Sequence, residues 1–329
     1  MKRGHLAALR PVCPVCRAAE IAVGTVVRES HDDVLEGILT CTNPECLREY
    51  PVVDGIPILV AAIRSWLSAN PLQLLQRTDL SPELESLLGD VLGPNSPFDT
   101  LRQHVGIYAA DHYEGDSAVR LLLRELAAGD GPVIDIGCSV GGTTFALASR
   151  FEKLTVGVDL NFAMLRVASE ILRTGRASYS RRRVGLAYDR RELAVEPPHR
   201  ELVDFWCCDA AALPFADRTF GFASVLNLID CVAAPAEVVA ECARVLRAGG
   251  NALFSTPYDW TQSATPVEQW LGGHSQRGAN RGAAEPMLRA LLARHFEIRA
   301  EEENVPWRVR VHERSVMEYL VHVVVAARH

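Results

Sequence analysis

Four cysteines near the start of the chain have a spacing that suits metal binding. Cys13 and Cys16 are separated by two residues, Cys41 and Cys46 by four, and 24 residues lie between the two pairs. Short spacings place two thiolates on one turn, and structural Zn²⁺ favours a closed tetrahedron of four thiolates. The pattern predicts a structural zinc site with no open position for catalysis. A chance quartet or a disulfide pair is the alternative.

Nine cysteines are present in all, and the other five lie in apolar surroundings. In a reducing cytosol, such thiols are expected to be small, inert core residues. These five are Cys138, Cys207, Cys208, Cys231 and Cys242.

A glycine-rich turn follows the predicted strand Val133–Ile136. Gly137 and Gly141 lack a Cβ atom, so a ligand can approach the backbone and the turn can use positive φ angles. In open α/β sheets, ligands bind at the carboxyl ends of the strands. The spacing differs from the dinucleotide fingerprint, and no lysine follows as it does in a P-loop.

Acidic residues follow the next two predicted strands. Asp159 can accept hydrogen bonds from both ribose hydroxyls of a nucleoside, and charge-assisted bonds of that kind contribute about 1.5–3 kcal/mol. Asp209 can receive an adenine amino group, and Ala210 can supply a backbone amide. Together with the turn, these residues favour a ligand that contains a nucleoside.

Residues 131–257 resemble a class I S-adenosylmethionine-dependent methyltransferase. The glycine-rich motif of that family matches residues 135–142, its ribose acid matches Asp159, and its adenine-contacting acid matches Asp209. Its late Leu-x-x-Gly-Gly turn matches residues 246–250. The resemblance implies S-adenosylmethionine as the cofactor.

The chain departs from the family at Phe220-Gly221, where many members have Phe-Asp, so no role is assigned there. An NAD-type or nucleotide-free α/β protein is the alternative interpretation. The resemblance implies that the cofactor is bound by Asp135, Gly137, Cys138, Ser139, Gly141, Asp159, Leu160, Asp209, Ala210 and Asn227.

The segment after the cysteine quartet, residues 50–59, resembles that of the small zinc-ribbon activators of tRNA and protein methyltransferases. In that group the ribbon is a separate chain, and here it is expected to stabilise the methyltransferase or shape its entrance. RNA capture is the alternative role. Residues 1–60 hold six Lys or Arg against eight Asp or Glu, and an acidic ribbon is a poor RNA clamp.

Residues 255–260 and 270–273 resemble the methyltransferase domain of ovothiol synthases and, more distantly, carnosine N-methyltransferases. This resemblance implies methylation of an imidazole ring nitrogen, with histidine or a mercaptohistidine-like compound as acceptor. Asp259, Asp230 or Tyr258 would then orient the ring or take up its proton. Trp260 and Trp270 are expected either to wall an aromatic pocket or to anchor the loop.

Three other functions stay open. One is a small-molecule thiol or O-methyltransferase. Another is an RNA methyltransferase that uses the ribbon and the insert 173–191, which contains seven arginines and one acid. An arginine of this insert can also hold a substrate carboxylate, and a solvated basic face or flexible flap is the simpler interpretation. The third is a non-catalytic partner protein.

The elements that must position these residues alternate between strand and helix from residue 132 onward. This order predicts an α/β class with a Rossmann-like, seven-stranded sheet and helices on both faces. Three regions are predicted: a zinc ribbon at 1–60, a helical linker or cap at 61–128, and the methyltransferase domain at 129–329. Helices are expected at 81–92, 117–128, 143–150, 161–173, 236–247 and 286–295, and strands at 133–136, 154–158, 202–207, 222–226, 251–255, 296–303 and 317–327.

Composition narrows the partners. The 329 residues carry a formal net charge of −7 and are 48% hydrophobic, which argues against a protein built to grip nucleic acid. The longest apolar run is too short to cross a bilayer, and no secretory signal is recognised at the first residues. We therefore expect a cytoplasmic protein with a small-molecule acceptor and no membrane partner; no feature defines an oligomeric state.

Overall fold

The computed structural model describes residues 1–115, 117–121, 126–278 and 280–329. The helices are α1 (Arg3–Leu9), α2 (Ile63–Ala69), α3 (Pro71–Leu75), α4 (Pro82–Leu92), α5 (Pro97–Ala110), α6 (Ser117–Arg120), α7 (Gly142–Phe151), α8 (Phe162–Thr174), α9 (Pro235–Val245) and α10 (Glu285–Leu292). The strands are β1 (Ile21–Ser30), β2 (Asp33–Cys41), β3 (Glu49–Val53), β4 (Ile56–Leu59), β5 (Val133–Ile136), β6 (Thr155–Asp159), β7 (Arg176–Val184), β8 (Ala187–Ala194), β9 (Val203–Cys208), β10 (Phe220–Leu226), β11 (Leu246–Thr256), β12 (Phe296–His312) and β13 (Ser315–Arg328).

One continuous sheet of eleven strands forms the centre of the fold, in the order β1-β2-β3-β4-β9-β6-β5-β10-β11-β13-β12. The strands from β4 to β11 in this order are parallel, and the pairs outside them are antiparallel. The predicted Rossmann-like α/β class is confirmed. The sheet exceeds the predicted seven strands because four strands from the N-terminal region continue it beyond β9.

Helices cover both faces because neighbouring strand residues point to opposite sides. Ile134 packs in the cluster that includes α9 and α10, whereas Val133 packs in a cluster that includes Leu147 of α7. Helix α8 is capped by Asn161, whose side-chain oxygen accepts from the Met164 N–H at 3.2 Å. In the part of the chain that the structure describes, every helix is too short or too polar to cross a membrane.

The N-terminal region meets the rest of the chain through strand pairing and through side-chain hydrogen bonds. Strand β4 pairs in parallel with β9, with Ile58 opposite Cys207. At the other side, Glu241 of α9 accepts hydrogen bonds from Arg17 at 3.1 Å and from the Leu213 N–H at 2.8 Å. Because Glu241 is mostly buried, these donors offset the cost of removing its charge from water.

The helical segment before β5 differs from the prediction in two places. Five apolar side chains of α4 are exposed instead of being covered by neighbouring elements, and Gly89 is the only residue of this helix that is buried. These five are Leu84, Leu87, Leu88, Val91 and Leu92. The helix predicted at 117–128 is described only as α6; residues 126–129 are not helical, and 122–125 lie outside the described residues.

The arginine-rich insert is the β7–β8 hairpin, which forms a separate two-stranded sheet. Part of the hairpin packs on α5, where a Cβ atom on Gly106 would lie 2.2 Å from the Ser180 carbonyl oxygen. Arg181 forms an ion pair with Glu114, and Arg190 donates to Glu85 at 2.7 Å. The interpretation as a freely solvated basic face is therefore wrong for these two arginines, which hold the hairpin to the helical segment.

Candidate active site

The glycine-rich turn lies between β5 and α7, at the carboxyl edge of the parallel strands. Gly137 and Gly141 have φ angles of +80° and +88°, and Ser139 has +52°. A Cβ atom on Gly141 would lie 2.6 Å from the Phe205 ring. Glycine is therefore required at residue 141 by conformation and by space. The Cys138 thiol is buried in the core, so this residue offers a ligand only its backbone.

Asp135, on β5 just before the turn, connects the turn to α7 and β10. It is 1% exposed, and its carboxylate accepts hydroxyl hydrogen bonds from Thr143 at 2.6 Å, Thr144 at 2.7 Å and Ser224 at 2.6 Å. Burial raises the pKa of Asp135, and the three hydroxyl groups oppose that rise. Its observed contacts are internal to the protein, so its effect on a bound cofactor would pass through the turn.

A short π-helical segment, Asp111–Gly115, covers the other side of the turn. The His112 Nδ1 atom accepts a hydrogen bond from the Gly142 N–H at 3.0 Å, and the Tyr113 hydroxyl donates to the Val140 carbonyl at 2.5 Å. Burial lowers the pKa of His112 to about 4. The imidazole is therefore neutral at physiological pH, which the acceptor role of Nδ1 requires.

Asp159 stands at the end of β6, beside the turn. Its two carboxylate oxygens accept from the Ser139 N–H at 2.9 Å and from the Asn161 N–H at 2.8 Å. Burial raises the pKa of Asp159 against these hydrogen bonds. Leu160 follows with 42% of its surface exposed. The structure thus places Asp159 next to the glycine turn, and the ribose contact stays a prediction.

Asp209 and Ala210 follow β9, the strand beside β6. Because Asp159 pairs with Cys207, Asp209 lies just beyond Asp159 at the same edge of the sheet. Its side chain accepts from the Ala211 N–H at 2.9 Å, and both Asp209 and Ala210 are half-buried. This placement is compatible with the predicted adenine contact.

Asn227, at the end of β10, is held firmly against β11. It adopts a φ of +50°, its N–H donates to the Ser255 carbonyl at 2.8 Å, and its side-chain oxygen accepts from the Ser255 hydroxyl at 2.7 Å. The next residue, Leu228, lies against the Cα atom of Gly137. Asn227 therefore belongs to the same edge as the glycine turn.

Asp230 and Asp259 are brought together by a direct hydrogen bond. The Asp230 carboxylate accepts from the Asp259 N–H at 2.8 Å and from the Thr256 hydroxyl at 3.2 Å. Burial raises the pKa of Asp230, and the Asp259 charge adds to the rise. Asp230 is 1% exposed, whereas Asp259 is exposed. Asp259 is thus the member of the pair that a solute can reach.

Two tyrosines near this pair were not identified from the sequence. Burial raises the pKa of Tyr319, and the nearby charge of the Asp259 carboxylate raises it further. Burial also raises the pKa of Tyr108, with contributions from the charges of Asp230 and Asp159. Tyr108 lies on α5 and Tyr319 on β13, far from each other in the chain, and no local motif marks either residue.

Tyr258 points away from the aspartate pair. Its hydroxyl lies 2.6 Å from the His322 Nδ1 atom, and the His322 Nε2 atom lies 2.5 Å from Glu301. Trp260 stacks on Trp270 with ring centroids 6.1 Å apart. Because the Trp270 N–H also donates to the Thr265 carbonyl at 2.8 Å, the contacts of the two indoles favour loop anchoring over a pocket wall.

The four N-terminal cysteines converge. Their Sγ atoms all lie within 4.8 Å of one another, with 3.8 Å between Cys13 and Cys46 and 3.6 Å between Cys16 and Cys41. These separations exclude S–S bonds, which are about 2.05 Å long. Zn–S bonds of about 2.3 Å in a tetrahedron require sulfur atoms roughly 3.8 Å apart. The quartet therefore fits the predicted ion.

Similarity to known proteins supports the interpretation of the central region as a methyltransferase domain. Residues 134–254 match a family model described as a methyltransferase domain. The chain is also similar to two ubiquinone biosynthesis O-methyltransferases. The protein of Stutzerimonas stutzeri (strain A1501) is 31% identical over 124 residues, or 38% of this chain and 43% of that protein.

The Nitrosomonas europaea protein is 28% identical over 125 residues, again 38% of this chain and 43% of that protein. The chain thus spans less than half of the length of these curated relatives. Among solved structures, it is similar to the complex between the Haloferax volcanii Trm112 methyltransferase activator and a putative methyltransferase. That similarity has 14% identity and a TM-score of 0.44, and covers 67% of this chain and 92% of that one.

Residues 134–254 match a methyltransferase domain, and they lie in the Rossmann-like α/β part of the fold that carries the glycine turn.

His112 gives this site a pH dependence that can be measured. Its pKa is about 4 in the folded chain and about 6.5 when unfolded. Between these two pH values only the unfolded chain binds a proton at His112. The folded state therefore has its full stability above about pH 6.5 and loses stability as the pH falls toward about 4. We expect the free energy of unfolding to fall by roughly 3 kcal/mol more in the wild type than in His112→Asn over this range.

Urea unfolding at several pH values measures this difference. Asparagine keeps an acceptor for the Gly142 N–H and does not titrate, so the variant should show the smaller pH dependence. His31→Asn, at an exposed histidine, is the matched control and should follow the wild type. Parallel curves for the wild type and His112→Asn would contradict the assignment.

Proposed function

We propose that the protein is an enzyme that transfers the methyl group of S-adenosylmethionine to a small molecule. The main support for the proposal is that the glycine turn and Asp159 lie side by side at the ends of two adjacent parallel strands. The Asp159 carboxylate accepts a hydrogen bond from the Ser139 N–H at 2.9 Å. This geometry places an acid directly beside the turn, where Gly137 is only half-buried. The family match of residues 134–254 supports the same conclusion.

The residues present fit the cofactor. Asp159 would accept the ribose hydroxyls, Asp209 and Ala210 would meet the adenine, and the turn at Gly137–Gly141 would face the amino-acid end. Leu160, exposed beside Asp159, would pack on the adenine ring. When bound, the cofactor supplies an electrophilic methyl group on a positively charged sulfur. The protein contributes position, which accounts for about 7–11 kcal/mol in well-oriented reactions.

The aspartate pair is the proposed site of acceptor binding. Asp259 is exposed, and its charge contributes to the raised pKa of Tyr319; it would accept an N–H or O–H proton of the acceptor. Asp230 holds Asp259 through the backbone. Tyr258 remains a candidate from the sequence. Since its hydroxyl contacts His322, we propose that it positions the loop instead of touching the acceptor.

An acceptor with an ionisable nucleophile fits this pair. An imidazole ring nitrogen is the finer prediction from the sequence, and it has no support among the similar proteins, whose names describe O-methyltransferases. An oxygen nucleophile is therefore the second candidate. The RNA alternative is less favoured, because Arg181 and Arg190 of the hairpin are engaged by Glu114 and Glu85.

We also propose that the cysteine quartet binds one structural Zn²⁺ ion within a ribbon at residues 1–60. Residues 61–128 would form a cap, and residues 129–329 the catalytic domain. Because β4 continues the sheet at β9, the ion would stabilise the edge of the sheet next to the adenine position.

Removing the Asp159 charge tests the cofactor site. We expect Asp159→Asn to weaken S-adenosylmethionine binding by at least about tenfold, since charge-assisted hydrogen bonds contribute about 1.5–3 kcal/mol. Isothermal titration calorimetry measures this affinity. Asp90→Asn, on the exposed face of α4, is the control. Equal affinity in Asp159→Asn and the wild type would reject the ribose contact.

Turnover tests the acceptor site. We expect labelled methyl transfer to one member of a panel of imidazoles, phenols, thiols and amino acids. With that acceptor, Asp259→Asn should lower kcat by about 10²–10⁴-fold, the usual range for general acid–base catalysis, while cofactor affinity stays within about twofold. Asp189→Asn, on the hairpin, is the control.

An unchanged kcat in Asp259→Asn would exclude a catalytic role for its carboxylate. Cofactor binding without turnover of any panel member would favour the non-catalytic alternative. Methylation of RNA with a steep salt dependence would favour the nucleic-acid alternative.

Metal content tests the ribbon. We expect about one zinc ion per chain by elemental analysis, and we expect Cys41→Ser to lose the ion and lower the melting temperature, because structural zinc binding contributes to folding. Cys231→Ser, at an exposed cysteine outside the quartet, should keep the ion. A metal-free wild type purified in the presence of zinc would refute the site.

A further inference from the structure

A cavity lies apart from the glycine turn. It has a volume of about 470 Å³ and is lined by residues of α4, α5, α8 and the β7–β8 hairpin together with Asp54 and residues 76–80. Cavities of a few hundred Å³ hold small organic ligands. None of the predicted cofactor-binding, catalytic or metal-binding residues lines it.

Arginines are unusually frequent in its walls. Five line the cavity, and three of them are neutralised by an acid. Among the described residues, these three pairs are Arg166 with Asp54 at 2.8 Å, Arg190 with Glu85 at 2.7 Å and Arg77 with Asp79 at 2.8 Å. These three arginines therefore have acidic partners within the protein and do not require a bound anion.

Arg102 differs from these three arginines. It is only 6% exposed, and its Nε and Nη2 atoms are buried without a hydrogen-bond partner. The guanidinium stacks on the Tyr188 ring, 3.6 Å from the centroid. Gly89 leaves room for it, since a Cβ atom there would lie 2.5 Å from Nη2. A buried charge whose donors are unused is costly to the folded state.

The nearest acid is occupied elsewhere. The Asp99 carboxylate accepts from the Asn95 N–H at 3.1 Å, the Gln103 amide at 2.8 Å and the Tyr188 hydroxyl at 2.8 Å. In the described ranges it makes no ion pair with Arg102 within 4.0 Å. Asp99 therefore balances part of the charge of Arg102 without accepting a hydrogen bond from it. Because the Nε and Nη2 atoms are fully buried, a ligand in the cavity would reach the guanidinium through its Nη1 atom.

The remaining wall near Arg102 is apolar. Phe98, Leu101 and Val105 come from the same helix as Arg102, and Val167 faces them from α8. Glu170 also lines the cavity from α8 and would repel an anion there. A ligand that fits this arrangement has an oxyanion at the Arg102 end and an apolar body along α5.

We propose that this cavity binds a small organic oxyanion, a carboxylate or a phosphate ester with an apolar body, and that the Arg102 guanidinium donates hydrogen bonds to it. Arginine suits this role because its guanidinium stays charged and binds carboxylates and phosphates. The site is independent of the methyl-transfer function proposed above, since other residues line it.

Binding of model ligands to the full chain tests the proposal. Benzoate and phenyl phosphate are the probes, and benzamide is the neutral control. By calorimetry we expect one of the two oxyanions to bind at millimolar concentration or tighter and benzamide to bind at least tenfold more weakly. The preferred oxyanion identifies the source as a carboxylate or a phosphate ester.

Two variants assign the site. Arg102→Met should weaken oxyanion binding at least tenfold and keep or raise the melting temperature, because it removes an uncompensated buried charge. Val105→Phe keeps Arg102 and fills the cavity, so it should also lose binding; it decides the question if Arg102→Met does not fold. Arg183→Met, at an exposed arginine of the hairpin, should bind as the wild type does.

Absence of oxyanion binding to the wild type would overturn the proposal. So would equal binding by Val105→Phe, or equal affinity for benzoate and benzamide. A folded Arg102→Met protein that binds the oxyanion like the wild type, or melts several degrees lower, would assign Arg102 to structure alone.

Discussion

The candidate active site depends on one buried carboxylate. Asp135 is almost fully enclosed, and it is stabilised by three hydroxyl groups that come from α7 and β10. Because a buried charge is tolerated only when its hydrogen bonds are satisfied, these contacts fix the ends of β5 and β10 and the start of α7 relative to one another. The glycine turn above Asp135 therefore has little freedom. Its positive φ angles and its hydrogen bond to Asp159 follow from that fixed frame.

The N-terminal strands affect this site because β4 pairs with β9, which would otherwise be an edge strand of the sheet. Without β4, strand β9 would expose unpaired backbone groups, which proteins normally cover. Its partner β4 continues into the antiparallel strands that carry Cys41 and lead to the other cysteines. The Glu241 network with Arg17 secures the same region from the opposite side. The cysteine quartet is thus linked through paired strands to β9, the strand that Asp209 follows.

Much of the central fold could be predicted because its signals are local. The apolar strand before Gly137, the glycines of the turn and Asp159 lie within 27 residues of one another, and each follows from short-range geometry. Tyr108 and Tyr319 could not be predicted from local patterns. The register of β13 against β11 places Tyr319 near the aspartate pair, and the packing of α5 places Tyr108 there. The engagement of Arg190 by Glu85 also joins residues more than 100 positions apart. The exposed apolar face of α4 shows that periodicity predicts a helix without fixing what covers it.

The charges at the carboxyl edge of the sheet explain why acids recur there. Asp159, Asp209, Asp230 and Asp259 follow four different strands of the sheet. Burial raises the pKa of Asp159 and of Asp230, and neighbouring carboxylates add to both rises. Under the proposed function, the cationic sulfonium of the cofactor would relieve this repulsion, whereas the sulfide product carries no such charge. Since opposite charges attract more strongly in a partly desolvated site than in water, the acids would favour the cofactor over its product. The same carboxylates would then help to bind the methyl donor and to release what remains of it after transfer.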